Sequence, residues 1–98
     1  MMTIDELKST LGSPSPPPGL SEPVLALWHD ARGDWDAAHR VAQDIAGSEG
    51  AWIHAYLHRK EGDLGNAGYW YRRAGRAAAS GSLDDEWTAI ASALLTSA

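Results

Sequence analysis

A ten-residue pattern occurs twice in this chain, at residues 29–38 and again 29 residues later at 58–67. Both copies have His at the first position, Gly and Asp at the fifth and sixth, and Ala at the last. Each copy predicts the end of one helix, a Gly-Asp break and the start of a second helix. Repetition at such a period is typical of stacked helical hairpins, in which each unit needs its neighbour to bury its apolar face. We therefore expect two stacked antiparallel helical hairpins.

The size and composition of the chain limit the class of protein. Its 98 residues are enough for one small domain with a single core. The absence of cysteine excludes disulfides and thiolate zinc sites. Charged residues interrupt every apolar stretch and the N-terminus is acidic, so we expect neither a membrane span nor export. These features predict a cytoplasmic protein.

The charge of the chain is negative overall and unevenly distributed. A net charge of −5 argues against nucleic-acid binding. Residues 51–80 nevertheless hold five basic and two acidic side chains, which gives this segment a positive charge. Such a segment can orient a partner or a second copy of the chain, and it can also be a solvated face with no partner.

Apolar spacing and capping residues predict an all-α fold. The expected helices cover about 3–11, 22–32, 34–46, 50–60, 63–79 and 82–97, with residues 47–50 as the turn between the hairpins. No segment shows the alternation of a strand. Residues 1–20 are expected to form a short N-terminal helix and a Pro-rich connector. Residues 21–98 are expected to form one helical-repeat domain with a C-terminal capping helix.

The second copy carries a family resemblance. Glu61-Gly-Asp-Leu-Gly-Asn-Ala67 followed by Tyr71 and Ala74 resembles the tetratricopeptide repeat and its Sel1-like relatives, which share this pattern of Gly, Asp, a large apolar residue, Ala and an aromatic. The first copy matches at Gly33 and Asp34. The chain also resembles small bacterial proteins that carry the same Gly-Asp and Tyr-Trp-Tyr signature. The resemblance covers residues 22–79, with a spacing shorter than the usual 34.

The resemblance implies a module that binds a protein or a peptide. In tetratricopeptide repeats the first helix of each hairpin lines the concave side. Trp52, Tyr56 and Arg59 share one stripe of the corresponding helix here, and these residue types dominate binding hot spots. Arg72 and Arg73 would add charge selectivity, and the alternative for them is internal or dimeric salt bridging with the acidic residues Asp84, Asp85 and Glu86. The alternative for Trp52 and Tyr56 is packing in the core, and the alternative partner is a second copy of the chain, as a homodimer.

The histidines suggest a different class of function. His54, His58 and Glu61 fall at i, i+4 and i+7, which places them on one side of a helix, and two histidines one turn apart can bind zinc. Further ligands would have to come from a neighbouring helix, where the candidates are His29, Asp34 and His39. The other interpretation is structural, with histidines that pack at the seam of the hairpins and bond to a capping Asp or a carbonyl.

No arrangement of residues predicts catalysis. The chain lacks a Gly-rich phosphate loop, a nucleophile elbow and a Cys nucleophile. We therefore predict no catalytic residue, no metal ligand and no cofactor as the leading interpretation, with a protein- or peptide-binding module as the function. The alternative is a small metal- or ligand-binding protein, an enzyme included, centred on His54, His58 and Glu61.

Overall fold

The computed structural model describes residues 2–96, and that range contains α-helices and no strand. The helices are α1 (Ile4–Ser9), α2 (Glu22–Ala31), α3 (Trp35–Gln43), α4 (Gly47–Lys60), α5 (Leu64–Ala74) and α6 (Leu83–Thr96). The predicted all-α class is confirmed. The expected end of the last helix at residue 97 lies outside the described residues.

The doubled Gly-Asp pattern forms the same local structure in both copies. Gly33 has φ 83°, a left-handed conformation that glycine adopts without steric cost. The Asp34 amide then donates to the His29 carbonyl at 3.0 Å, while the Asp34 carboxylate accepts from the amide three residues on and caps α3. Gly62, with φ 91°, and Asp63 repeat both bonds between α4 and α5. The repeat therefore encodes two equivalent helix-to-helix connections.

The start of α4 differs from the prediction. Residues 47–50 were expected to form a turn, but α4 begins at Gly47. Gly50 is buried in the first turn, where a Cβ would lie 2.2 Å from the carbonyl oxygen of Ile45. Glycine is required at this position for close packing, so its presence did not signal a break in the helix.

The end of α5 also differs from the prediction. A helix to residue 79 was expected, but α5 ends at Ala74. Gly75 adopts the left-handed conformation with φ 71°, and the following Arg76 amide donates to the Tyr71 carbonyl at 3.0 Å. This arrangement is a common helix C-terminus and it stops the helix before the Ala-rich segment that follows.

The core of the molecule is built around α4. Every residue from Gly50 to His58 is buried. The helix contacts α3 and α5, and it also packs against α2 and α6. Helices α2 and α3 pack together, as do α4 and α5. These two pairs are compatible with helical hairpins, while the antiparallel stacking of a tetratricopeptide array stays a prediction.

Polar bonds attach α6 to the rest of the core. The Trp87 indole donates to the Leu27 carbonyl of α2 at 3.0 Å. Glu86 is 7% exposed, and one of its carboxylate oxygens accepts from Arg59 of α4 at 2.9 Å. Its other oxygen accepts from the Tyr71 hydroxyl of α5. Because of these bonds, α6 holds three other helices in place. No helix within residues 2–96 combines the length and apolarity needed to cross a lipid bilayer.

The helical spacing of Leu64, Ala67, Tyr71, Ala74 and Ala78 predicts an inward stripe on α5, and this prediction is only partly correct. Ala67 and Tyr71 are buried as predicted, but Leu64 is 69% exposed and Ala78 is exposed beyond the end of the helix. The equivalent of Leu64 in the first copy is Trp35, whose indole reaches the following helix, α4. The helix that follows α5 is α6, which packs on α2 and α4 instead. Leu64 therefore has no helix over it.

Candidate functional site

The predicted partner-binding residues of α4 face the interior. Trp52 is 9% exposed, and the Arg76 guanidinium carbon lies 3.4 Å from the centroid of its indole. Tyr56 is 2% exposed, and Arg59 is the half-buried partner of Glu86. Helices α2, α3, α5 and α6 all pack against α4, and the exposed parts of Trp52 and Tyr56 line separate clefts.

The other two predicted residues, Arg72 and Arg73, are exposed on α5. Arg73 donates to the Tyr69 hydroxyl at 3.2 Å, and its guanidinium carbon lies 5.5 Å from the centroid of Trp70. The five predicted residues are thus divided between the interior of the molecule and the outer face of α5. They do not form one continuous surface.

Helix α2 contains a buried carboxylate, Asp30, that the sequence did not predict. Asp30 is 2% exposed, and its two oxygens accept from the Lys60 ammonium at 2.9 Å and the Tyr56 hydroxyl at 2.8 Å. Burial and this carboxylate together raise the pKa of Tyr56 well above its usual range. Since both oxygens of Asp30 are occupied by groups of the chain, we assign this cluster to stability.

Three histidines form one of two groups of potential metal ligands in the described part of the chain, and the other group consists of His58, Glu61 and Asp63. His39 comes from α3, while His54 and His58 come from successive turns of α4. One ring nitrogen from each lies within 4.8 Å of the others. The Nε2 atoms of His39 and His54 are 2.9 Å apart, so one of them donates a hydrogen bond to the other.

Two tryptophans enclose the histidines. Trp35 stacks on His39 with ring centroids 4.9 Å apart, and Trp70 stacks on His54 at 4.0 Å with an interplanar angle of 2°. The rings of His54 and His58 are themselves stacked at 5.1 Å. The Trp35 indole also donates to the Leu57 carbonyl at 2.8 Å, which fixes α3 against α4. The imidazoles are therefore held in defined orientations.

Glu61 determines the tautomer of His58. Its carboxylate lies 2.6 Å from His58 Nδ1, and a carboxylate can only accept, so Nδ1 carries the proton. The other nitrogen, Nε2, lies 3.4 Å from the Asn66 side-chain amide and presents a lone pair. A histidine with a carboxylate behind its Nδ1 is the usual arrangement around a bound metal, and an ion on Nε2 would replace the Asn66 contact.

The surroundings keep two of the three imidazoles uncharged. Burial, followed by the effects of the neighbouring His39 and His58, lowers the pKa of His54 to about 4. Burial also lowers the pKa of His39, followed by the effect of His58, while Glu61 and Asp36 oppose that shift. Both rings are therefore neutral near pH 7, which is the protonation state that binds metals.

The sequence predicted that two of these three histidines lie together, but it did not identify the third. His54 and His58 share a side of α4 as predicted, and His39 is the one of three candidates from neighbouring helices that joins them. His29 instead packs with its ring edge-on against Trp28. Asp34 is occupied as the cap of α3. The spacing of four residues between Trp35 and His39 was an available signal, because it places both rings on one side of a helix.

Glu61 does not lie where the sequence suggested, as a metal ligand beside His54 and His58. It lies beside His58 and near Asp63, and its carboxylate is outside the group formed by the three imidazole nitrogens. Its contact is with Nδ1 of His58, at 2.6 Å. The structure therefore favours Glu61 as a residue that orients a ligand.

The fold and the histidine cluster define a small all-helical protein with a preformed group of nitrogen donors. No family model matches the chain, and no characterised protein or solved structure gives a significant match. A proposal about function must therefore be based on the geometry of the site.

Proposed function

We propose that this protein binds one divalent transition-metal ion, with Zn²⁺ as the best-suited ion, through His39, His54 and His58. The observation that carries the proposal is the convergence of three imidazole nitrogens within 4.8 Å from two different helices. Zn–N bonds are about 2.0–2.1 Å long, so two donors on one tetrahedral ion lie about 3.4 Å apart. Small movements of the rings from their present positions would accommodate the ion.

The surroundings of the ligands support this proposal. Trp35 and Trp70 restrict the rings of His39 and His54, which lowers the entropy lost on binding. Glu61 orients the ring of His58 through the bond to Nδ1. Clusters of neutral nitrogen donors suit Zn²⁺, Cu²⁺ and Ni²⁺, whereas Mg²⁺ and Ca²⁺ prefer oxygen.

Metal binding is tested with the full chain carrying no affinity tag, because a polyhistidine tag would bind the same ions. We expect calorimetry to give one Zn²⁺ per chain. Zinc at about a hundred times its dissociation constant should stabilise the fold by about 2.7 kcal/mol. For a domain of this size, that corresponds to a rise in melting temperature on the order of 10 °C.

His29→Gln is the matched control for His54→Gln. Both variants remove one of the four histidines of the chain, but His29 lies outside the cluster. His54→Gln should lose the stoichiometric binding and the thermal shift while keeping its helical circular dichroism, and His29→Gln should keep all three. Absence of zinc binding by the unsubstituted chain, or equal losses in the two variants, would show the proposal to be wrong.

A second candidate function, protein binding, is favoured by the outer face of α5. Leu64 is 69% exposed and Tyr69 is 45% exposed, and Arg72 and Arg73 are exposed on the same helix. Since the equivalent residue Trp35 is covered by a helix of its own chain, we propose that α5 pairs with a second copy. Light scattering should detect a dimer that Leu64→Gln weakens, and a monomer at high concentration would contradict it.

A further inference from the structure

We infer that an ion held by the three histidines keeps one open coordination position, and that this position takes a small anion entering through a cleft beside His54. This inference rests on the proposed metal binding and adds the class of ligand that the site receives. Three observations support it: the number of protein donors, the location of the cleft and the charges around it.

The donor group is one ligand short of a closed zinc site. Among residues 2–96, the group around His39, His54 and His58 contains no fourth histidine or carboxylate, and the chain has no cysteine. Structural zinc sites are closed by four protein ligands, while sites with three protein ligands leave a position for water or substrate. Neutral imidazoles also leave the double positive charge of the ion largely uncompensated, so an anion is the favoured fourth ligand.

A cleft of about 600 Å³ adjoins the cluster. It lies between the end of α3, the first turns of α4 and the outer part of α5, and residues that line it include Ile45, Gly47, Ala51, His54, Trp70 and Arg73. His54 therefore belongs both to the donor group and to the wall of the cleft. The volume is in the range of small-molecule sites, and most of the lining side chains are small. A ligand in this cleft would be close to an ion on His54.

The charges around the cleft favour an anion. Arg73 lines it and lies against Trp70, the same indole that stacks on His54. The α4 N-terminus also lines it, and its N-cap residue, Ala46, provides no side-chain acceptor for the free amides. No carboxylate is found among its described lining residues, since Glu49 of the same turn lines two other clefts. In a chain with net charge −5, the described lining of this cleft therefore carries one positive side chain and no negative one.

Cobalt and azide provide the test, since Co²⁺ occupies zinc sites and its visible absorption responds to its ligands. The untagged chain is loaded with Co²⁺ and then titrated with azide. We expect a saturable change in the cobalt spectrum. Replacement of Arg73 by Gln should weaken the affinity for azide about two- to fivefold, as expected for one partly screened charge, without changing the affinity for Co²⁺.

Arg72→Gln is the matched control, because Arg72 is exposed on the same helix and is not among the lining residues. It removes the same charge and should leave the affinity for azide unchanged. If Co²⁺ binds stoichiometrically and azide leaves its spectrum unaltered, the open position is wrong and metal binding stands. Equal effects of the two Arg variants would overturn the assignment of the cleft. Failure to bind Co²⁺ would contradict both the metal site and this inference.

Discussion

His54 illustrates how the surroundings of one side chain determine its protonation. It is 7% exposed, with Trp70 on one face and the ring of His58 stacked nearby. Its nearest polar partner is His39, which is itself a weak base in this environment. A proton on His54 would therefore have little contact with water and no carboxylate to stabilise it, and the ring stays neutral down to about pH 4.

This property predicts a pH-dependent stability for the metal-free protein. In the unfolded chain His54 takes up a proton near its ordinary pKa of 6.5, whereas in the folded protein it does so only near 4. The contribution of neutral His54 to the free energy of unfolding is therefore complete above pH 6.5 and is lost as the pH falls towards 4. The loss should reach about 3 kcal/mol. Urea unfolding in the presence of a chelator measures it.

His54→Gln provides the comparison for that measurement. The variant lacks the titrating ring, so its free energy of unfolding should change less between pH 6.5 and 4 than that of the unsubstituted chain. His39, whose pKa is lowered by burial as well, contributes to the remaining slope. Parallel pH profiles for the two proteins would show that His54 does not titrate in the way described here.

The sequence predicted part of the histidine cluster. The spacing of four residues places His54 and His58 together on any helix, so their proximity follows from local geometry. The contribution of His39 depends on how α3 crosses α4, and three candidates were equally compatible with the sequence. The ring of Trp70 comes from yet another helix. Contacts between helices are decided by packing, which a single sequence does not specify.

Among the helices, α4 departs most from what its pattern suggested. It was expected to have a binding face with Trp52 and Tyr56, and core packing was the alternative for both. In the structure it is buried from Gly50 to His58, with polar side chains that find partners inside the molecule. A helix surrounded on all sides needs no apolar stripe, so periodicity alone could not assign its faces.

The two glycines at positions 50 and 65 predict opposite effects of alanine. Both lie in the first turns of helices, but a Cβ at Gly50 would lie 2.2 Å from the backbone oxygen of Ile45, and a Cβ at Gly65 would meet nothing within 4 Å. Gly50→Ala should therefore destabilise the fold by about 1–3 kcal/mol through overpacking. Gly65→Ala should stabilise it by roughly 0.5–1 kcal/mol, because alanine loses less backbone entropy in a helix.

Thermal or chemical unfolding of both variants distinguishes these effects from a general response to Gly→Ala substitution. The sign of the change is the decisive quantity. A Gly50→Ala protein as stable as the unsubstituted one would mean that α4 does not start so close to Ile45.

In the molecule as a whole, one buried carboxylate of α6 connects three helices. Glu86 accepts from Arg59 of α4 and from Tyr71 of α5, and the neighbouring Trp87 bonds to Leu27 of α2. The all-α class and the approximate helix positions were predictable from caps and glycines. The docking of α6 was not, because its acidic first turn resembles an ordinary charged helix start.

Replacement of Glu86 by Gln should therefore destabilise the whole protein. The variant keeps the shape of the side chain and loses the charge that both donors bind, so we expect a cost of about 1.5–3 kcal/mol. Asp85→Asn removes a charge from the adjacent, exposed position and should cost less than about 1 kcal/mol. Equal stabilities of the two variants in urea unfolding would contradict this role for Glu86.

The division of the histidines between α3 and α4 has a consequence for how such a site can be duplicated. His58 has a counterpart in the first copy, His29, but the residues equivalent to His54 and His39 are Leu25 and Gly68. The donor group is therefore a property of the junction between two copies, and neither copy contains it. A tandem array built from this unit would need histidine at position 68 before a third copy could complete a second site.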